Sequence, residues 1–203
     1  MTSLFTSRDR TLKRSSRLCF FAAFLFSFSS LIAQTLFTVN LDTTCQTTAK
    51  KICMQATAET GMLIGNFQTP EYANQFWWQG DVWIDSNLSE AAPYFCFGDD
   101  TLLYAVGYSQ AAGKIQLMKI EQVGSYIQLT ELESKAVNIL PEEKRYVFKH
   151  IFFHATNEFR FEVNGVPMRL PSPVSSRSIS RFGYLVKGEG KVVRFARPGV
   201  KGK

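Results

Sequence analysis

The chain has 203 residues, of which 23 are Lys or Arg and 17 are Asp or Glu, for a net charge of +6 at pH 7. Five of the basic residues and one acidic residue lie in the first 33 positions, so the other 170 positions carry 18 basic against 16 acidic residues, a net of +2. That near-balance argues against a general nucleic-acid binder, and 170 residues suffice for one domain with a real core but not comfortably for two.

The first 33 residues read as a targeting segment. Arg8, Arg10, Lys13, Arg14 and Arg17 precede a mostly apolar run over residues 18–33 that ends in small residues, Ser29, Ser30 and Ala33. The run is broken by Ser27, Ser29 and Ser30, and it is shorter than the roughly 20 apolar residues a spanning helix needs. A secretory signal cleaved after Ala33 is expected, with an uncleaved anchor as the alternative. On the first reading the mature chain has no membrane span and is secreted, periplasmic or held in the cell envelope. Its remaining cysteines, Cys45, Cys53 and Cys96, would then meet an oxidising environment, where three thiols predict one disulfide and one thiol left over, with the pairing open.

Residues 34–75 read as an N-terminal segment that packs on the domain. Alternation is weak over 35–41, and residues 43–60 fit either a short helix closed by Gly61 or a strand over 51–58, with the β-branched threonines favouring the strand. The sandwich core is expected over 76–198. It opens on Phe76-Trp77-Trp78-Gln79-Gly80-Asp81-Val82-Trp83-Ile84, an aromatic strand in which Gly80 predicts a bulge or turn. Strands then follow over 94–97, 102–108, 114–121 and 126–133, with turns at Gly98-Asp99-Asp100, Ala112-Gly113 and Gly124-Ser125. Ile115, Leu117 and Lys119 alternate with Gln116, Met118 and Ile120, the period of a half-buried strand.

After a break at 141–144, strands are expected over 145–155, 158–163 and 166–170. Asn164-Gly165 between the last two is a strong two-residue hairpin signal. A polar loop follows at Pro171-Ser172-Pro173, with Ser175, Ser176 and Ser178, and then a hairpin of 180–187 and 191–196 about Gly188-Glu189-Gly190. Lys187, Lys191, Arg194, Arg197, Lys201 and Lys203 crowd this end, which predicts a solvated strand face and a frayed basic tail at 199–203. Short strands with turns every 8–12 residues indicate an all-β fold, a sandwich or a barrel.

Three stretches carry a resemblance to a known group. Phe161-Glu162-Val163-Asn164-Gly165, Gly183-Tyr184-Leu185-Val186 and the aromatic strand from Phe76 to Trp83 resemble the concanavalin A-like superfamily of lectins, laminin-G-like modules and glucanases. The resemblance implies a jelly roll of two packed antiparallel sheets, with a lipocalin-like barrel as the competing architecture. It also implies a lectin-like binding module for glycans or for an envelope or extracellular protein partner. A sugar-acting hydrolase and a non-catalytic structural envelope protein are the alternatives.

Sugar rings present C–H faces that stack on exposed aromatic rings, so Trp77, Trp78 and Trp83, with Asp81 between them, are the expected ligand-binding residues. Alternation sends Phe76 and Trp78 to one side and Trp77 to the other, which makes Trp77 the leading candidate. Asp99 and Asp100 join this set; their carboxylates suit a calcium ion or, more simply, a turn. No other cofactor is indicated. The glucanase branch uses Glu-x-Asp-x-Glu on one strand, and Glu131 with Glu133 lacks the rest of that pattern, so no catalytic residue is assigned. His150 and His154, four apart on a strand, stand about 13 Å apart at roughly 3.3 Å per residue, too far to share a zinc ion unaided. Asn87-Leu88-Ser89 fits a glycosylation sequon.

Overall fold

Segments that alternate apolar and polar side chains, such as 158–163, and segments that are apolar on both faces, such as 92–98, form two antiparallel sheets in the computed structural model. The structure describes residues 39–48, 50–69, 74–84, 90–123, 126–140, 145–196 and 199–202, with no helix among them. The targeting segment at 1–33, the Asn87-Leu88-Ser89 sequon, the break at 141–144 and the Gly124-Ser125 turn lie outside the described residues. The first sheet has seven strands in the order β1 (Val39–Leu41), β4 (Thr60–Asn66), β13 (Arg181–Lys187), β6 (Ala92–Gly98), β7 (Leu103–Ser109), β8 (Lys114–Val123) and β9 (Tyr126–Ala136). The second runs β12 (Val166–Pro171), β11 (Glu158–Val163), β10 (Arg145–Phe153), β5 (Gln75–Ile84), β14 (Val192–Ala196), β3 (Lys51–Ala56) and β2 (Thr43–Thr47). An eighth strand, β15 (Gly199–Gly202), pairs with β5. The two sheets pack as a sandwich of jelly-roll type; each keeps its own two edge strands, so the barrel alternative is set aside.

Aromatic rings fill the space between the sheets. Phe76, Trp78, Phe95, Phe97, Phe148 and Phe161 are among the fully buried side chains. Phe95 meets Phe148 edge-on at 5.6 Å, Phe97 meets Phe152 at 5.4 Å, and Trp78 stacks on Phe182 at 4.3 Å, each contact joining one sheet to the other. Such pairs contribute about 0.5–1.5 kcal/mol each beyond their buried area. At the β11–β12 turn, Asn164 and Gly165 have φ of 48° and 80°, the two left-handed residues a two-residue hairpin turn requires. The Asn164 side chain also accepts a hydrogen bond from the Val147 N–H at 2.7 Å, tying the turn to β10.

Of the two readings of residues 43–60, the strand is the one observed: residues 51–56 and 60–66 form β3 and β4. Other expectations are corrected. Gly80 makes no bulge or turn in the pairing with β10: β5 runs through it unbroken, with Gly80 directly opposite Phe148. The residues at Gly188-Glu189-Gly190 do not close a hairpin. β13 pairs with β4 and β6, whereas β14 pairs with β3 and β5, so this turn carries the chain from one sheet to the other. Gly188 and Gly190 take φ of 124° and 70° to make the crossing. The basic tail is not frayed over residues 199–202, which add β15 to β5.

No disulfide links Cys45, Cys53 and Cys96. Cys45 lies opposite Met54 and packs on the core, whereas Cys53, opposite Arg194, faces outward from the same sheet. Cys96 lies on the outer face of the other sheet, where burial pushes its thiol pKa up. Neighbouring strands bring Cys45 and Cys53 close in register but offset by one position, and one position along a strand reverses the face.

Candidate functional site

β5 is a central strand of its sheet, and its alternation divides its aromatics. Phe76 and Trp78 point inward, at 0% and 1% exposure; Trp77, Asp81 and Trp83 point outward and are half-buried. Trp78 is therefore part of the core, whereas Trp77 and Trp83 are reachable from solvent. Trp77 and Trp83 share the outer face, six residues and about 20 Å apart at roughly 3.3 Å per residue, with Gln79 and Asp81 between them.

The register supplies the neighbours of each indole. Trp83 lies directly opposite Arg145 on one side and Arg194 on the other, and the Lys51 ammonium sits 4.5 Å from its ring centroid. Trp77 lies opposite Ile151 and Lys201, and the Lys149 ammonium is 5.7 Å from its ring. Cations over an indole face are attracted by its quadrupole. Asp81 is 3.8 Å from Arg145, and two strands away Arg160 pairs with Glu162 at 2.8 Å. The outcome is a face of two platforms bracketed by basic side chains.

Asp99 and Asp100 are not part of this face. They occupy the β6–β7 turn, where the Asp99 carboxylate accepts hydrogen bonds from the Thr101 hydroxyl at 2.7 Å and from the Thr101 and Leu102 N–H groups at 2.8 Å. Those bonds hold its pKa below the usual carboxylate range, the Thr101 hydroxyl most of all. Asp100 pairs with Arg181 at 2.7 Å. Both carboxylates thus serve the chain's own donors, and among the described residues no group of three or more His, Cys, Asp or Glu is placed to hold a metal ion.

Glu131 and Glu133 do not face one substrate. A register shift in the β8–β9 pairing leaves Leu132 as an extra residue, so Glu131 lies opposite Met118 and Glu133 opposite Leu117. Met118 and Leu117 point to opposite faces of their sheet, and the two glutamates divide with them. Glu131 is held ionised by Ser134, Gln116 and Lys114, in that order of effect, the reverse of what a general acid needs.

His150 is 0% exposed among Trp78, Phe97, Phe152 and Phe159, and neither ring nitrogen has a hydrogen-bond partner among the described residues. Burial lowers its pKa to about 3. His154 Nδ1 lies 2.8 Å from Ser176 Oγ, a pairing that resembles a catalytic dyad. Ser176 is only 1% exposed, however, and its N–H donates to Asn157, so the contact pins the serine loop onto the β10–β11 turn.

A cleft of about 450 Å³ opens at one end of the seven-stranded sheet, lined by Glu59, Glu90, Tyr94, Gln116, Met118 and Lys187 among others. Tyr94 crosses Gly107 to donate to Gln116 at 2.9 Å, and a Cβ on Gly107 would sit 2.6 Å from the tyrosine ring. Gln116 in turn donates to Glu131 at 2.5 Å, and Lys187 pairs with Glu59 at 3.6 Å. Its polar groups are largely engaged with one another, and it offers no tryptophan. Sequence reading missed this cleft, and it missed the basic residues around Trp77 and Trp83. Alternation marks Lys51, Lys149 and Arg194 as outward-facing in their own strands, but only the register brings them to the indoles.

No family model matches this sequence, and no curated protein matches it. Solved structures do match. The carbohydrate-binding module CBM66 from Bacillus subtilis superposes with a TM-score of 0.58 at 15% identity, over 80% of this chain and 94% of that one. The likeness is one of fold. Arcelin-5, a lectin-like defence protein from Phaseolus vulgaris, gives 0.54 at 8% identity, covering 81% of this chain and 92% of its own. A functionally unknown protein from Saccharomyces cerevisiae gives 0.51 at 11% identity, over 81% and 96%. What these structures share with the chain is the fold, the packed antiparallel sheets that the sequence resemblance implies.

Proposed function

We propose that this chain is an exported lectin-like module that binds a glycan on the outer face of its eight-stranded sheet. The observation that carries the reading is the presentation of Trp77 and Trp83 on one face of one central strand, with the amide of Gln79 and the carboxylate of Asp81 between them. Each indole offers an apolar surface to a sugar ring, while the intervening polar groups hydrogen-bond hydroxyls. The spacing of the two platforms suits an extended oligosaccharide rather than a single sugar. The fold shared with a carbohydrate-binding module and a lectin-like protein supports the reading without assigning the ligand.

A glycan array followed by titration calorimetry tests the proposal. Saturable binding is expected, with Trp77→Ala and Trp83→Ala each weakening it about tenfold or more, the scale of about 1.4 kcal/mol for a lost contact. An array without a saturable ligand, or a ligand indifferent to both substitutions, overturns it. Export has its own test: the protein recovered from outside the cytoplasm should begin at Gln34, and an intact Met1 terminus would refute cleavage.

A further inference from the structure

We infer that the glycan is acidic, a polysaccharide whose sugar rings carry carboxylates, an inference that rests on the glycan-binding reading above. The outer face of the eight-stranded sheet carries Lys51, Arg145, Lys149, Arg160, Arg169, Arg194 and Lys201 against only Asp81, Glu158 and Glu162 among the described residues. Those seven cations against three anions are a surplus of four, while the chain beyond position 33 has a net charge of only +2. The positive charge is therefore concentrated on this face, and the rest of that chain is close to neutral or slightly acidic.

The placement of the cations is more informative than their number. Trp83 is flanked in register by Arg145 and Arg194, and Trp77 by Lys201, with Lys51 and Lys149 reaching over the rings. Neighbouring strands are about 4.8 Å apart, so Arg145 and Arg194 stand beside Trp83, and Lys201 beside Trp77. A carboxylate attached directly to a sugar ring projects from the edge of that ring. When the ring stacks on an indole, its carboxylate points sideways, toward the flanking guanidinium and ammonium groups, where charge-assisted hydrogen bonds form. Asp81, close to Arg145, and Glu162, on Arg160, orient those guanidinium groups and leave the surplus in place.

Affinity electrophoresis and calorimetry with the full mature chain separate this inference from the one beneath it. The probes are polygalacturonate, its fully methyl-esterified form, dextran sulfate and poly(dT). Polygalacturonate is expected to bind at least about tenfold more tightly than the ester, with a preference that shrinks as salt screens the charges. Lys149→Gln combined with Lys201→Gln should remove most of that preference, and Trp77→Ala should weaken both polymers. Unchanged urea midpoints would verify that the lysine variant is folded. If the ester binds as well as the acid, the glycan reading stands and the acidic assignment falls. Tighter binding of dextran sulfate or of poly(dT) than of polygalacturonate overturns the carboxylate assignment. Binding of none of the four, together with a blank glycan array, removes both readings.

Discussion

The two sheets share a core but present opposite outer faces. On the seven-stranded sheet the outward side chains Met62, Ile64, Tyr94, Cys96, Met118 and Leu185 are all buried, at 0–7% exposure. On the eight-stranded sheet the outward positions of β5, β10 and β11 are mainly aromatic or charged, and most are half-buried. The difference is written in the strands: β4 and β6 are apolar on both faces, as in Tyr94-Phe95-Cys96-Phe97, whereas Phe159-Arg160-Phe161-Glu162 alternates. A strand buried on both sides contributes packing; one with a polar outer row can also contribute recognition.

The largest effect expected from this contrast lies within β5 itself. Trp78→Ala should cost about 3–5 kcal/mol of unfolding free energy, as for a fully buried aromatic, because it opens the core between Phe76, Phe152 and Phe182. Trp77→Ala should cost less than about 1 kcal/mol, as for partly exposed positions. Urea unfolding compares the two directly, and equal losses would mean that the outer row is structural after all. On the opposite outer face, Gly183→Ala should cost about 1–3 kcal/mol by overpacking, since a Cβ there would lie 2.0 Å from the Leu63 carbonyl oxygen. A neutral result in thermal melts would show that this face is looser than its burial implies.

The third prediction concerns the core between the two faces. Burial holds the His150 imidazole down to about 3, from an ordinary 6.5, so the folded protein resists protonation that the unfolded chain accepts. Stability is therefore complete above pH 6.5 and is lost as pH falls from there toward 3. The loss should reach about 2 kcal/mol by pH 5, at about 1.4 kcal/mol per pH unit. His150→Leu should flatten the urea midpoint between pH 7 and 5, and an unchanged slope would place the acid sensitivity elsewhere. A smaller effect than that of His150 is expected for Tyr94→Phe, which removes one hydrogen bond to Gln116 and should lower stability by about 1 kcal/mol without altering glycan binding. A loss of binding in that variant would move the ligand to the cleft of the seven-stranded sheet.

Much of the fold is legible in local sequence. The alternation at Phe159 to Val163, the Asn164-Gly165 turn and the sidedness of Trp77 and Trp78 follow from a period of two and from backbone sterics, which act between near neighbours. Such rules describe a strand and its two faces, but they do not name its partners. Only the tertiary structure separates β13 from β14 into different sheets, turns Glu131 and Glu133 to opposite faces through the register shift in β9, and sends Cys45 and Cys53 to opposite faces. Only it gathers Lys51, Arg145, Lys149, Arg194 and Lys201, drawn from β3, β10, β14 and β15, around two tryptophans of β5. The physical reason is that side-chain direction is set locally along the chain, whereas pairing and register are set by the joint burial of strands far apart in sequence.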